Sequence, residues 1–272
     1  MNGLDHIRQT FQKTRQENRA ALMPYFTLGF PTIPLCLDVI SALAGSGADL
    51  IELGIPFSDP LADGPTIQHS SQIALENGIT VSETIHLVHQ LRDRGVSQPF
   101  MLMGYYNPII AYGIQSFVAD AAGAGADGLI IPDLPPEEAV EIEAACQKNG
   151  LSLIFLLAPT STTSRVKQIV DHSTSFVYLV SLTGVTGARD KLSANLSPFI
   201  QSVRAQTQLP LAVGFGISTP SQVEEVGKMA DGVIIGSALV QLVEQSDNPV
   251  QTAADYIHKL RHALSPNPNG GS

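Results

Sequence analysis

The segment GADLIELGIPFSDPLADGP, residues 47–65, contains the elements from which the fold is inferred. A Gly-Ala-Asp turn leads into the apolar run 50–54, which ends in a Pro- and Gly-rich loop carrying two aspartates. The same turn and run recur at 125–130 and, as Met-Ala-Asp, at 229–234. We interpret the recurrence as shared chemistry of helix-to-strand turns, in which Gly or Ala eases the turn and Asp caps it. The unequal spacing of the copies argues against a solenoid.

Short apolar runs alternate with helix-length segments along the whole chain. The runs predict strands at 24–28, 50–54, 100–105, 128–131, 153–157, 176–180, 211–214 and 232–235. Helix-length segments lie between them, for example at 35–44, 82–92, 115–122, 137–148, 163–170, 196–204 and 220–226. Most of the runs are apolar throughout, which is typical of parallel strands that are covered on both faces.

This alternation predicts an α/β fold, a (β/α)8 TIM barrel with an extra N-terminal helix at 4–18 and an extra C-terminal helix near 250–264. We expect one barrel domain, residues 1–264, followed by a disordered Pro/Gly-rich tail at 265–272. The alternative is a doubly wound open sheet. It is less favoured because the alternation continues through eight strands without a Gly-rich first turn.

The composition limits the possible partners. The chain has 25 acidic and 15 basic residues, and a net charge of -10 argues against binding to nucleic acid or anionic membranes. No apolar run approaches the ~20 residues needed to cross a bilayer, and the N-terminus has no signal-peptide core. Cys36 and Cys146 lack CxxC spacing and are interpreted as reduced, buried thiols. We therefore expect a cytoplasmic protein. No metal site is predicted, because neither helix-spaced histidine pair has a third ligand.

Candidate functional residues follow the strands, because a barrel of this kind carries its site at the C-terminal strand ends. Glu52 lies between Ile51 and Leu53, where desolvation should raise its pKa and suit it to give and take a proton near neutrality. The alternative is a buried structural glutamate paired with Arg or Lys. Asp59 and Asp63, taken alone, are ordinary solvated turn aspartates.

Glycine-rich turns follow the last two predicted strands. Gly214-Phe215-Gly216 and Gly236-Ser237 match a phosphate cradle, in which backbone N–H groups and a helix dipole hold the anion. Ordinary turn glycines are the alternative, but two such turns on adjacent strands favour phosphate. The segment 184–189 adds a third Gly-rich turn with the composition of a closing lid.

Several motifs together resemble the tryptophan synthase alpha chain family. They are ELGIPFSDPLADGPTIQ at 52–68, YYNP at 105–108, SLTGVTGAR at 181–189, and GFGIS at 214–218 followed by GS at 236–237. The resemblance implies cleavage of indole-3-glycerol phosphate to indole and glyceraldehyde 3-phosphate, with no cofactor in this chain. It also implies a pyridoxal-phosphate beta chain as partner, in an alpha2-beta2 tetramer. A stand-alone lyase that releases indole and a non-catalytic barrel that activates a beta chain remain alternatives.

The resemblance also assigns roles to single residues. It makes Glu52 the acid/base group and Asp63 the catalytic aspartate, and it makes Thr186 a lid residue that meets Asp63 on closure. The substrate contacts that it implies are Tyr25, Met103, Ile130, Tyr178, Thr186, Gly187, Phe215, Gly216, Gly236 and Ser237. The partner contacts that it implies are Pro56, Asp59, Pro60 and Asn107.

Overall fold

Parallel strands form one continuous sheet in the computed structural model, which describes residues 1–181 and 195–265. All strand pairs are parallel, and the order is β5-β4-β3-β2-β1-β9-β8-β7-β6. The strands are β1 (Ala21–Thr27), β2 (Ile51–Gly54), β3 (Phe100–Met103), β4 (Gly128–Ile130), β5 (Ser152–Ile154), β6 (Leu156–Leu157), β7 (Val177–Val180), β8 (Leu211–Gly214) and β9 (Gly232–Ile235). Each predicted strand is confirmed, with small differences at its ends.

The sheet closes into a barrel through the fifth predicted strand. This strand is divided by Phe155 into β5, which pairs with β4, and β6, which pairs with β7. The two ends of the strand order are therefore parts of one segment. The Phe155 carbonyl also accepts from the Tyr178 backbone N–H at 3.3 Å. Tilted strands in a barrel meet their two neighbours at different heights, which accounts for pairing through different residues.

Helices surround the barrel, and a further helix lies near each end of the chain. They are α1 (Gly3–Gln16), α2 (Ile33–Gly45), α3 (Pro65–Glu76), α4 (Val81–Asp93), α5 (Tyr106–Tyr112), α6 (Ile114–Ala124), α7 (Val140–Asn149), α8 (Thr163–His172), α9 (Leu196–Arg204), α10 (Pro220–Gly227), α11 (Ser237–Glu244) and α12 (Pro249–Ala263), with a 3₁₀ turn at Pro136–Glu138. The two predicted extra helices, α1 and α12, are confirmed. In the described part of the chain, no helix has the length and apolar character needed to cross a membrane.

The N-terminal helix α1 packs on the barrel through its apolar face. It begins at an Asn2 cap, whose side chain accepts from the Asp5 N–H at 2.8 Å. Ile7 and Phe11 are buried, and the Phe11 ring lies 5.5 Å from that of Phe176, which immediately precedes β7. A Cβ on Gly232, the first residue of β9, would lie 3.3 Å from the Phe11 ring. Helix α1 therefore covers the N-terminal end of the barrel, opposite the predicted site.

The recurring turn aspartates join neighbouring strands at that end. The carboxylates of Asp49, Asp127 and Asp231 each accept, at 2.8 Å, a backbone N–H near the start of the preceding barrel strand. The donors are Leu22, Phe100 and Leu211, and each carboxylate also accepts from an arginine, namely Arg19, Arg92 and Arg204 respectively. The interpretation of the repeat as turn chemistry is thus confirmed, and the structure adds that each aspartate bridges two strands.

A related bridge forms without an aspartate between the fifth and sixth barrel strands. The Thr174 hydroxyl accepts from the Leu153 N–H at 3.1 Å, and Arg8 of α1 donates to the Thr174 carbonyl at 3.0 Å. Four of the strand pairs are therefore fixed by the same kind of side chain to backbone contact. These contacts fix neighbouring strands to each other at the N-terminal end of the barrel. They therefore help to set the relative positions of the C-terminal strand ends.

Candidate active site

Glu52 lies on β2, and no residue in the described part of the chain pairs with its carboxyl group. Its residue pairs in register with Tyr25 of β1 and Met101 of β3. The side chain is completely buried, and neither carboxyl oxygen has a hydrogen-bond partner among the residues that the structure describes. The alternative of a structural ion pair with Arg or Lys is therefore not found in this part of the chain. Burial raises the pKa of Glu52 to about 8.

Asp63 is held in the loop between β2 and α3 by a tyrosine of the next strand end. The Tyr105 hydroxyl donates to Asp63 Oδ2 at 3.1 Å and accepts from the Ala62 N–H at 2.9 Å. The Tyr105 ring also packs on Phe57, with centroids 5.3 Å apart. Burial raises the pKa of Asp63 to about 6, and the Tyr105 hydrogen bond acts in the opposite direction. The two carboxyl groups therefore have different proton affinities near neutral pH.

Tyr25 and Tyr178 stand close to both carboxyl groups. Both rings are buried, and burial raises the pKa of each phenol, with further increases from the charges of Glu52 and Asp63. Strand-end glycines make room for the hydroxyls. A Cβ on Gly54 would lie 2.1 Å from Tyr25 Oη. This proximity places Tyr25 Oη beside the residue that follows Glu52 by two positions on the same face of β2.

Apolar residues form the adjoining wall of the site. Met103 of β3 pairs in register with Gly54 on one side and with Ile130 of β4 on the other. Both side chains are buried. Paired residues of parallel strands point to the same face of the sheet, so these two side chains lie in one layer next to the Glu52 strand. Such a wall is suited to a flat apolar group such as an indole ring.

The two glycine turns lie where the prediction put them, after β8 and β9. Phe215 and Gly216 have φ of 71° and 74°, a left-handed conformation that glycine adopts easily and phenylalanine rarely does. The Ser181 hydroxyl donates to the Phe215 carbonyl, and the Phe215 ring contacts Tyr178 edge-on at 6.0 Å. Gly236 immediately precedes α11, whose first residue is Ser237. A helix start leaves N–H groups free for an anion.

The predicted lid contacts cannot be placed. Thr186 and Gly187 lie outside the described residues, and their roles stay predictions. Tyr105 is not among the predicted site residues, although it belongs to the YYNP motif and ends the predicted strand 100–105. The sequence does carry a signal for Tyr105, because it follows β3 just as the loop that contains Asp63 follows β2. Its contact with Asp63, however, joins residues 42 positions apart and is visible only in three dimensions.

The predicted partner contacts differ in exposure. Asp59 and Asn107 are exposed and Pro60 is partly exposed, whereas Pro56 is buried and presents little surface. Three large apolar side chains that the sequence did not identify are also exposed: Leu61 at 93%, Val140 at 72% and Ile110 at 51%. Leu61 lies in the loop after β2, Ile110 in α5 after β3 and Val140 at the start of α7 after β4, so all three are carried by segments that follow adjacent strands.

Other features of the chain do not join this site. Cavities of about 310 and 370 Å³ contain neither Glu52 nor Asp63 in their linings. Across the two described ranges, no three His, Cys, Asp or Glu side chains are grouped as a metal site would require. Cys36 and Cys146 are free and buried, as the sequence predicted.

Comparison with known proteins gives consistent results. A family model described as the tryptophan synthase alpha chain matches residues 11–265. The chain is 52% identical over 259 residues to the tryptophan synthase alpha chain of Chloroflexus aggregans, covering 94% of this chain and 97% of that one. It is 48% identical to the tryptophan synthase of Saccharomyces cerevisiae over 88% of this chain but only 34% of the yeast protein.

Solved structures agree in fold. Mycobacterium tuberculosis tryptophan synthase superposes with a TM-score of 0.90 at 37% identity, covering 96% of this chain and 98% of that one. The tryptophan synthase alpha chain of Legionella pneumophila gives a TM-score of 0.89 at 37% identity over 100% of both chains.

Proposed function

The chain belongs to the tryptophan synthase alpha chain family, the lyases that cleave indole-3-glycerol phosphate in tryptophan biosynthesis, and we propose that Glu52 and Asp63 carry this reaction. The observation that supports the assignment is the buried carboxyl of Glu52, which has no partner of its own in the described chain. A protein keeps such a destabilising group where its proton is used.

The bond between indole C3 and the glycerol chain breaks by a retro-aldol reaction. With a pKa of about 8, Glu52 is protonated at neutral pH and transfers its proton to C3. The resulting carboxylate takes the proton of the hydroxyl on the adjacent glycerol carbon. The carbon–carbon electron pair then moves into the ring toward nitrogen, which releases indole and an aldehyde, glyceraldehyde 3-phosphate. Glu52 ends protonated, ready for another turnover.

Asp63 stabilises the positive charge that appears on the ring nitrogen when C3 is protonated. Its pKa of about 6 leaves it mainly ionised at pH 7, as this role requires. The two carboxyl groups thus work in opposite protonation states at one pH. The wall of Met103 and Ile130 gives the indole a flat apolar surface to pack on.

The phosphate is bound by the turns after β8 and β9, with Gly187 as a further contact, and Thr186 is the lid residue that meets Asp63 on closure. Gly216 and Gly236 let the backbone approach the oxygens, and the N-terminus of α11 at Ser237 adds its dipole. Because this group is remote from the bond that breaks, its binding energy serves to orient the reacting atoms. The mechanism is complete with these groups, so we propose that the chain holds no cofactor.

We further propose a pyridoxal-phosphate beta chain as partner, in an alpha2-beta2 tetramer, and a cytoplasmic location. The Mycobacterium tuberculosis neighbours include tryptophan synthase in an aminoacrylate-bound form, at 34% identity. The exposed Leu61, Ile110 and Val140, together with Asp59, Pro60 and Asn107, supply a surface suited to such a contact.

Indole release from indole-3-glycerol phosphate, measured with and without a beta chain, tests the proposal. We expect slow cleavage by the isolated chain and faster cleavage with the partner. Equal rates in both settings indicate a stand-alone lyase. If the isolated chain does not cleave the substrate but does activate the beta chain, it is a non-catalytic activator. Co-elution in size-exclusion chromatography gives the stoichiometry.

A further inference from the structure

The Tyr25 ring bridges the two parts of the site. A Cβ on Gly236, in the proposed phosphate cradle, would lie 3.4 Å from Tyr25 Cβ and Cδ1. At the other end of the ring, Tyr25 Oη lies over Gly54, just beyond Glu52 on β2. The ring therefore extends from the cradle to the acid/base group. If a substrate is held at both ends, its glycerol portion lies along this ring.

The Tyr25 hydroxyl belongs to a buried chain of three hydroxyl groups. It lies 3.4 Å from Thr27 Oγ1, which lies 2.7 Å from Ser70 Oγ of α3. The Ser70 hydroxyl donates to the Ile67 carbonyl at 3.0 Å. Thr27 and Ser70 are fully buried, so the described protein groups must satisfy both hydroxyls.

The Ile67 carbonyl is the one group in this chain that can only accept, and we assign the direction of the chain from it. Ser70 has one hydroxyl hydrogen; with that hydrogen assigned to the Ile67 carbonyl, Ser70 accepts from Thr27. Thr27 has then used its only hydrogen and can only accept from Tyr25. The Tyr25 hydrogen thus points toward Thr27. Its oxygen lone pairs are left to accept a hydrogen bond from the substrate chamber.

We propose that Tyr25 Oη is a specificity-determining acceptor for the glycerol hydroxyl that does not react, with Thr27 and Ser70 as its positioning residues; this rests on the proposed function. A phosphate dianion has no hydrogen to donate, and Glu52 takes the proton of the hydroxyl beside the bond that breaks. The remaining glycerol hydroxyl is a donor that needs a partner inside a desolvated chamber. The Tyr25 ring spans the distance from Gly236 to Gly54, so its hydroxyl is placed to meet the part of the substrate between the phosphate and the indole.

The test uses Tyr25→Phe with two ligands, indole-3-glycerol phosphate and 3-(indol-3-yl)propyl phosphate, which lacks both glycerol hydroxyls. We expect kcat/KM for the substrate to fall three- to tenfold, as for loss of one neutral hydrogen bond, while the analogue's inhibition constant changes less than twofold. An equal loss for both ligands, or no loss for either, overturns the proposal. Tyr112→Phe, which alters a surface tyrosine bonded to Asp120, is the matched control and should change neither value.

The positioning role is tested by a second substitution. Ser70→Ala removes the acceptor that orders the chain, so kcat/KM should fall in the wild-type background and be unchanged in the Tyr25→Phe background. Effects that multiply in the double variant contradict the ordered chain. A failure of the cradle assignment would be seen separately. In that case Gly236→Ala, made in an otherwise wild-type chain, would bind the analogue with the same affinity as wild type.

Discussion

The burial of Glu52 lowers the stability of the folded protein. Its pKa is near 4.5 when unfolded and about 8 when folded, so between these values the unfolded chain has released the proton and the native protein has not. Unfolding is therefore increasingly favoured as pH rises from about 4.5 to 8, and the loss then stays constant.

The first prediction concerns this cost. Glu52→Gln removes the titration, so its free energy of unfolding should rise relative to wild type as pH increases from 5 to 8. The increase in this difference between pH 5 and pH 7 should be on the order of 2–3 kcal/mol. Urea denaturation at several pH values measures it. A constant difference between the two proteins across that range would show that Glu52 titrates normally in the native state.

The second prediction concerns Tyr105. In the free enzyme, kcat/KM should follow a bell with an acid limb from Asp63, near pH 6, and a basic limb from Glu52, near pH 8. The Tyr105 hydrogen bond lowers the pKa of Asp63, so Tyr105→Phe should move the acid limb to higher pH and leave the basic limb in place. A uniform loss of rate with both limbs unmoved would exclude this role.

For single residues, the sequence predicted burial better than it predicted side-chain contacts. The burial of Glu52 follows from its apolar neighbours, and the structure confirms it. The Tyr105–Asp63 bond and the hydroxyl chain at Tyr25 join different elements, so no local pattern signals them. The burial of Pro56 was missed for the same reason, since a proline in a loop is exposed or covered according to tertiary packing.

At the scale of elements, the turn aspartates tie neighbouring strands together. Asp127 accepts from the Phe100 N–H and from Arg92, which also donates to carbonyls including those of Gly125 and Val96. Arg92 lies 3.8 Å above the Phe100 ring. Removing the carboxylate charge therefore weakens the pairing of a mostly buried guanidinium as well as one strand contact.

The third prediction follows. Asp127→Asn should lower the free energy of unfolding by about 2–3 kcal/mol, because it weakens a charge-assisted contact in a sheltered site. Indole release at 25 °C should be unchanged, since the substitution lies at the end of the barrel opposite the site. Asp38→Asn, which alters an exposed pair with Arg94, is the control and should cost less than about 1 kcal/mol. Equal losses for the two variants would contradict the bridging role.

The fourth prediction compares the two cradle glycines. A Cβ on Gly236 meets other atoms only at ordinary contact distance, the nearest at 3.4 Å, whereas Gly216 has a φ of 74°. Both Gly236→Ala and Gly216→Ala should raise KM by obstructing phosphate oxygens. Gly216→Ala alone should also lower stability, by about 1 kcal/mol. Steady-state kinetics and thermal unfolding separate the two effects. An unchanged KM in Gly236→Ala would show that the phosphate does not bind at this turn.

Elements were predictable where hydrophobic periodicity is strong. All predicted strands are present because buried parallel strands are apolar throughout. Helix α3 was not identified, because its buried face includes Ser70, Ser71 and Ala74 beside Ile67 and so lacks a strong apolar stripe. The division of the fifth strand at Phe155 depends on its two neighbours, which a local pattern does not contain.

At the scale of the whole molecule, the face that carries the site also carries the exposed apolar residues. Leu61 and Asp59 lie in the loop that contains Asp63. Contact of a partner with this loop would therefore act directly on the position of Asp63, the proposed catalytic aspartate, which gives a physical route from association to activation.

The fifth prediction uses this loop. Asp59→Ala and Leu61→Ser should retain the basal cleavage of the isolated chain and weaken its activation by a saturating beta chain. Asp63→Ala should abolish cleavage in both settings. Indole release measured for each variant, alone and with the partner, decides the matter. Loss of basal activity in Asp59→Ala as complete as in Asp63→Ala would show that the loop has no division of roles.

The central claim, that one buried carboxyl both gives and takes the proton, is tested most directly by single-turnover cleavage of indole-3-glycerol phosphate by Glu52→Gln. Glutamine keeps the shape of the side chain but has no acidic proton to transfer. We expect the affinity for 3-(indol-3-yl)propyl phosphate to stay within about threefold of wild type, while the cleavage rate falls by roughly three decades or more. Cleavage by Glu52→Gln at a rate close to that of wild type, with the analogue still bound, would contradict the assignment of Glu52.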